Sequence, residues 1–148
     1  MATGVTIVTS HNEVQHFGMT VSSFTSVSLE PPIVSICVDK RVAILNIIQD
    51  AKTFAVNILS DEQVELGKRF ANPQFDMNER FEMGSWTTSS LGNEILSDAL
   101  GFMDCTLHQT FDIGDHVIFI GEVKNAGAQD KASPAIYYHR EWRRLKNI

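Results

Sequence analysis

Two cysteines, Cys37 and Cys105, are all the chain contains, and neither belongs to a C-x-x-C pair or to a paired histidine spacing. Neither a disulfide framework nor a zinc site is therefore indicated, and both thiols read as small buried hydrophobes. Basic residues are in deficit, 12 Lys and Arg against 18 Asp and Glu, for a formal charge of -6. That balance argues against partners that recruit basic patches, namely nucleic acid and anionic membrane surfaces. No apolar run approaches the ~20 residues that span a bilayer, and the opening Met1-Ala-Thr-Gly-Val-Thr6 lacks a basic leader region. The expectation is a soluble protein of the cytoplasm. No G-x-G-x-x-G turn opens a helix after a strand, so a Rossmann dinucleotide site is absent as well.

What remains is a chain of 148 residues, most simply one domain over 1–148, without repeats, low-complexity tracts or a compositional linker. It is long enough to bury about two thirds of its unfolded surface. β-Branched runs predict strands at Gly4 to Thr9, Ile33 to Val38 and Thr53 to Leu59, all three central. Val42, Ile44, Leu45, Ile47 and Ile48 follow helical spacing, which predicts a short amphipathic helix from Arg41 to Asp50 lying across the barrel. Ser60 and Gln63 stand three apart, as in a capping box, and predict a helix from about Asp61 to Phe70. The polar segment Asn72 to Ser97 reads as a long loop with at most one helical turn. Leu100 to Phe111, the turn Asp112-Ile-Gly-Asp115 and His116 to Lys124 form a hairpin, with Gly121 marking a bend or a close backbone approach. Pro134 to Tyr138 is a last short strand, and His139 to Leu145 a basic amphipathic tail. Six or more strands with few helices favour a closed β-barrel over an open α/β sheet.

Chemistry concentrates in Gly18 to Cys37. Thr20, Ser22, Ser23, Thr25, Ser26 and Ser28 precede Pro31-Pro32 and the apolar run Ile33 to Val38. Such a segment is either a Ser/Thr-rich strand wetted on one side or a set of donors and acceptors for a polar cofactor on a buried platform. Lys68 and Arg69 similarly either compensate a helix dipole or supply positive charge to an anion. His116, after Gly114-Asp115, is ordinarily an exposed turn residue. His11, His16, His108 and His139 have no spacing suited to a metal or a triad and read as surface or strand residues.

Four segments in order resemble the flavin reductase-like family of FMN-binding split barrels. They are Gly4 to Thr9; Gly18 to Pro32; Phe54 to Ser60 with Gln63 and Arg69-Phe-Ala71; and Gly114-Asp-His116 leading to Gly121-Glu-Val123. The resemblance covers almost the whole chain from Thr3. It implies a mainly β fold, a six-stranded antiparallel split barrel with a few short helices, acting as a homodimer with flavin near the subunit interface. It implies that Met19, Thr20, Val21, Ser22 and Ser23 meet the isoalloxazine and ribityl region, and that Ser26, Val27 and Ser28 lie along the same cofactor. Asp39, Lys40, Asn57, Gln63, Lys68, Arg69 and Phe70 match positions that approach the ribityl chain or phosphate. His116 matches the histidine that faces the flavin and positions the nicotinamide.

The implied activity is reduction of FMN, alternatively FAD, by NADH or NADPH through hydride transfer to flavin N5. Reduced flavin would pass by diffusion to a partner monooxygenase. The competing expectations are a non-enzymatic FMN-binding electron carrier or redox sensor, and an interaction barrel without cofactor. Three features depart from the family pattern. The chain starts almost on its first strand where relatives carry a helix. Arg140 and Trp142 stand where Gly and Tyr are common, which bears on how the tail covers the nicotinamide. Gly92 to Leu96 lacks the usual proline.

Overall fold

The computed structural model describes residues 1–130 and 132–148. In chain order the strands are β1 (Thr3–Gly4), β2 (Thr6–His11), β3 (His16–Val21), β4 (Thr25–Leu29) and β5 (Pro32–Asp39); α1 (Ile44–Ala51) follows, then β6 (Thr53–Ile58). After a 3-10 turn at Asp61–Gln63 come α2 (Val64–Ala71), α3 (Met77–Phe81), β7 (Trp86–Thr88) and β8 (Glu94–Leu96). The long β9 (Gly101–Ile113) and β10 (His116–Ala128) precede β11 (Ile136–Tyr138) and β12 (Glu141–Arg143). No described helix is long and apolar enough to cross a membrane.

Seven antiparallel strands in the order β3-β2-β6-β9-β10-β5-β4 curl around one core. Alternation sends Val8, Phe54, Val56, Val34, Ile36, Val38, Val117 and Phe119 inward, where Ile44, Leu45 and Ile48 of α1 join them. The helix therefore lies across the barrel, as its spacing predicts. The expected central strands β2, β5 and β6 each have neighbours on both sides. The sheet has seven strands rather than six because the hydroxyl-rich stretch breaks at Ser22 to Phe24 and resumes as β4, paired to β5. β1, β11 and β12 form a separate three-stranded sheet, and β7 and β8 a two-stranded one.

A second apolar layer lies outside the barrel, where Leu66 and Phe70 of α2 meet Val5, Ile7, Leu59 and Leu96. Ser60 N–H donates to Oε1 of Gln63 at 2.9 Å, so the capping box is formed, although the chain starts as a 3-10 turn. Gly121 marks a close approach: a Cβ there would lie 2.5 Å from Phe54.

Three further expectations are corrected. The segment 72–97 holds α3 and the β7–β8 hairpin as well as loop; exposed Thr87 and Thr88 and buried Glu94 hide its alternation. The short strand expected at Pro134 to Tyr138 is not the last: within the basic tail β12 pairs back on β11 as a β-hairpin, whose two turn residues His139 and Arg140 have φ of 53° and 63°. Both values suit a tight hairpin turn and favour glycine, Asn or Asp over the residues present. Cys105 is buried, and burial together with Asp104 pushes its thiol up to about 12. Cys37, expected in the core, is only half-buried because its side chain lies on the outward face of β5.

Candidate functional site

Among the described residues β3 ends one side of the barrel sheet, with β2 as its strand partner and no strand along its other edge. Val21 C=O accepts from Thr6 Oγ1 at 2.8 Å, on the β2 side. Gly18 C=O accepts from Nη1 of Arg80 at 2.8 Å, on the open side. Main-chain direction alternates along a strand, so Thr20 shares the open edge with Gly18.

Two cavities meet at this edge. The larger, about 720 Å³, is floored by Phe17, Met19 and Thr20 and walled by Val42 and Ile44 before and in α1, and by Phe75 and Met77 at α3. The smaller, about 520 Å³, lies between Thr20, Ser22, Lys68, Tyr137 and Trp142. Thr20, Ala71 and Pro73 line both. Volumes of this size and mostly apolar linings with a few polar groups are those of small-molecule sites.

The walls are braced. Thr20 Oγ1 donates to Gly67 C=O at 2.6 Å, tying β3 to α2. Arg80 is buried and donates to the carbonyls of Phe75, Asn72 and Gly18, which fixes α3 and the 72–75 loop to the strand; burial lowers its pKa. Arg69 donates from Nη1 to Glu79 C=O at 2.6 Å and lies 4.4 Å from the centre of the Phe75 ring. Lys68 pairs with exposed Glu65 at 3.0 Å. Lys68, Arg69 and Arg80 thus set three cations around the Ala71–Pro73 wall of an acidic chain. Phe70 is buried beneath the larger cavity, edge-on to Phe81 with ring centres 5.0 Å apart.

A second group gathers at the β9–β10 turn. His116 stands directly opposite Asp39 on β5, and its Nδ1 lies 2.8 Å from Oδ1 of Asp115. That contact holds the Asp115 carboxyl below its ordinary range. Arg41 donates to both oxygens of Asp39 at 2.7 to 3.3 Å and holds its carboxyl well below the usual carboxylate range. Lys40 donates its main-chain N–H to Asp115 C=O and pairs through its ammonium with Asp112. The chain between Asp39 and Ile44 joins this group to the larger cavity. His116 is on the lining of neither cavity.

Ser23 links the groups. Its Oγ donates to Cys37 C=O at 2.9 Å and accepts from Cys37 N–H at 3.0 Å, and Cys37 is two residues from Asp39 on the same face of β5. Val21 is buried in the barrel core. Ser26, Val27 and Ser28 lie apart from both cavities on edge strand β4, which carries a bulge between Ser26 and Ser28.

Two residues matched to the cofactor have their polar groups occupied within the fold. Asn57 is fully buried on the outer face of β6, donating to Ile7 C=O at 3.2 Å and accepting Leu96 N–H at 2.9 Å. It fastens the Asn93–Leu96 segment over the barrel. Gln63 bonds Ser60 N–H and donates to Asp98 C=O at 3.0 Å. Conversely, sequence reasoning missed Val42, Ile44, Phe75, Met77 and Tyr137 as lining, and Arg80 as a brace. The Asp76-x-x-Glu79 capping box, formed in the structure, was the available signal for the helix that carries Arg80.

The sequence profile described as Flavin reductase like domain matches residues 1–146. The actinorhodin polyketide dimerase of Streptomyces coelicolor is 34% identical over 144 residues, covering 96% of this chain and 79% of that protein. HsaB of Rhodococcus jostii, the reductase subunit of a flavin-dependent monooxygenase, is 34% identical over 140 residues, 95% of this chain and 70% of that protein. Among solved structures, the NADH:FAD oxidoreductase SgcE6 of Streptomyces globisporus, in complex with NAD and FAD fragments, superimposes with a TM-score of 0.92. Its sequence identity is 33%, over 99% of this chain and 87% of that one.

Proposed function

The chain belongs to the flavin reductase-like domain family, and from that premise we propose that it is an NAD(P)H:flavin oxidoreductase that supplies reduced flavin to a separate flavin-dependent monooxygenase. The observation that carries the reading is the groove of about 720 Å³ running along the open main-chain edge at Thr20. A flat heteroaromatic ring with a polar edge needs both surfaces. Phe17, Met19, Val42, Ile44 and Met77 offer apolar contact, and the free edge at Thr20 offers a donor and an acceptor. Lys68, beside Ser22 in the adjoining cavity, is the cation that suits a flavin phosphate.

When bound, flavin supplies the two-electron chemistry, accepting hydride at N5 from the nicotinamide. The chain's own task is placement. The bonds of Arg80 to Gly18 and of Thr20 to Gly67 keep the strand edge rigid, so its amides are preorganised toward negative charge on the reduced ring. His116, steadied by Asp115, orients the nicotinamide rather than exchanging a proton, because hydride transfer depends on ring-to-ring geometry.

The reading includes a homodimer in the cytoplasm. Phe111, Ile113, Ile118 and Cys37 share the outward face of β9, β10 and β5, with Phe111 and Ile113 about half exposed. Such a face is suited to a second copy. His116 lies on the same face, so pairing there would bring it to the interface and toward a groove that it does not line within its own chain. The test is His116→Ala: NADH turnover falls at least about tenfold, ~1.4 kcal/mol of lost transition-state stabilisation, while flavin affinity is kept. Unchanged turnover would remove His116 from the mechanism.

A further inference from the structure

We propose that the cavity between β3, α2 and the β11–β12 hairpin seats the adenosine half of a dinucleotide, with Trp142 and Tyr137 as its aromatic wall and Lys68 at its phosphate end. The proposal rests on the flavin reductase reading and specifies which part of the ligands this second cavity holds. At about 520 Å³ the cavity has the size of a small-ligand site. It is continuous with the flavin groove, since Thr20, Ala71 and Pro73 line both. A mononucleotide whose ring fills the groove and whose phosphate reaches Lys68 leaves the aromatic end unused.

That end is built, not incidental. Tyr137 and Trp142 face each other across β11 and β12, with ring centres 5.8 Å apart and planes at 73°. The indole is seated on α2 where Gly67 has no side chain: a Cβ there would lie 2.4 Å from Cη2 of Trp142. The ring is thus held before any ligand arrives, which lowers the entropic cost of stacking a base against it. Bases stack on aromatic side chains without needing a particular hydrogen-bond pattern. Ser22, exposed at the same cavity, offers a hydroxyl to a ribose or phosphate. The pair of Lys68 with exposed Glu65 is weakly held, so the ammonium is free to turn to a diphosphate.

FAD and the nicotinamide dinucleotides both carry this adenosine, and the experiment separates them. Dissociation constants for FMN and FAD and the KM for NADH are measured for the wild type, Trp142→Ala and Trp142→Phe, with ADP as competitor. If the seat serves FAD, Trp142→Ala weakens FAD at least about tenfold while FMN stays within about twofold; if it serves the nicotinamide nucleotide, KM for NADH rises at least about tenfold with both flavins unchanged. In either case Trp142→Phe, which keeps a ring over Gly67, retains most of the affinity. The inference is overturned if FMN, FAD and NADH are all unaffected, or if FMN weakens as much as FAD. Should Trp142→Ala not fold, ADP decides on the wild type: competition with FAD or NADH supports the seat, and competition with neither overturns it. A wild type that binds no flavin and oxidises no NADH contradicts the reductase reading itself. One that does both, with Trp142→Ala unchanged, contradicts the adenosine seat alone.

Discussion

The indole of Trp142 closes against α2 at Gly67, where an added Cβ would come within 2.4 Å of the ring and 3.0 Å of Cδ1 of Leu59. Leu59 is fully buried, so the tail hairpin is the side that must yield. Gly67→Ala gains about 1 kcal/mol of helix propensity but overpacks at a cost of about 1–3 kcal/mol. The expected outcome is a modest fall in denaturant midpoint, together with a red shift of tryptophan emission as Trp142 leaves its seat. An unshifted spectrum would show that the hairpin does not depend on this contact.

Asn57 is a brace, and its removal should be felt in stability rather than in binding. Asn57→Ala leaves Leu96 N–H without its partner and removes the side-chain bond to Ile7 C=O, which keeps its ladder bond to the main chain of residue 57. One orphaned buried donor costs about 1–3 kcal/mol, so a loss of about that size is expected from urea unfolding. Flavin affinity, measured well below the melting temperature, should stay within about twofold.

Acid dependence at the hairpin turn has a definite sign. Hydrogen bonds from Arg41 depress the Asp39 carboxyl in the folded state. Its stabilising contribution is therefore present above the unfolded carboxylate value of about 3.9 and is lost as pH falls through the lower folded value. Arg41 lies in solvent, so the effect is small. Asp39→Asn should lower the melting temperature by a small, constant amount from pH 5 to pH 8, as followed by thermal scans, and the gap should close only below about pH 4. A gap closing between pH 5 and pH 7 would assign the dependence to another group.

Much of the barrel was legible because its strands are β-branched runs whose two-residue alternation matches burial, as in Ile33 to Val38. Ser60 and Gln63 marked a helix start through a local bond that needs no tertiary context. What escaped was set by contacts distant in sequence. Asn57 sits on the same face as Ala55, but only the fold reveals that Asn93 to Leu96 covers that face. Met19, Thr20, Ser22 and Lys68 line the cavities and come from segments whose polar residues stand out in the sequence. Val42, Ile44 and Met77 look like ordinary core residues until the open edge of β3 leaves a groove beside them.

The most direct test of the account is oxidation of NADH and NADPH by the purified protein, with and without added FMN or FAD, beside a visible spectrum of the protein as isolated. The account predicts flavin-dependent oxidation of at least one nicotinamide nucleotide, with reduced flavin as product. A protein that binds flavin and oxidises neither nucleotide would contradict it and leave a flavin carrier in its place.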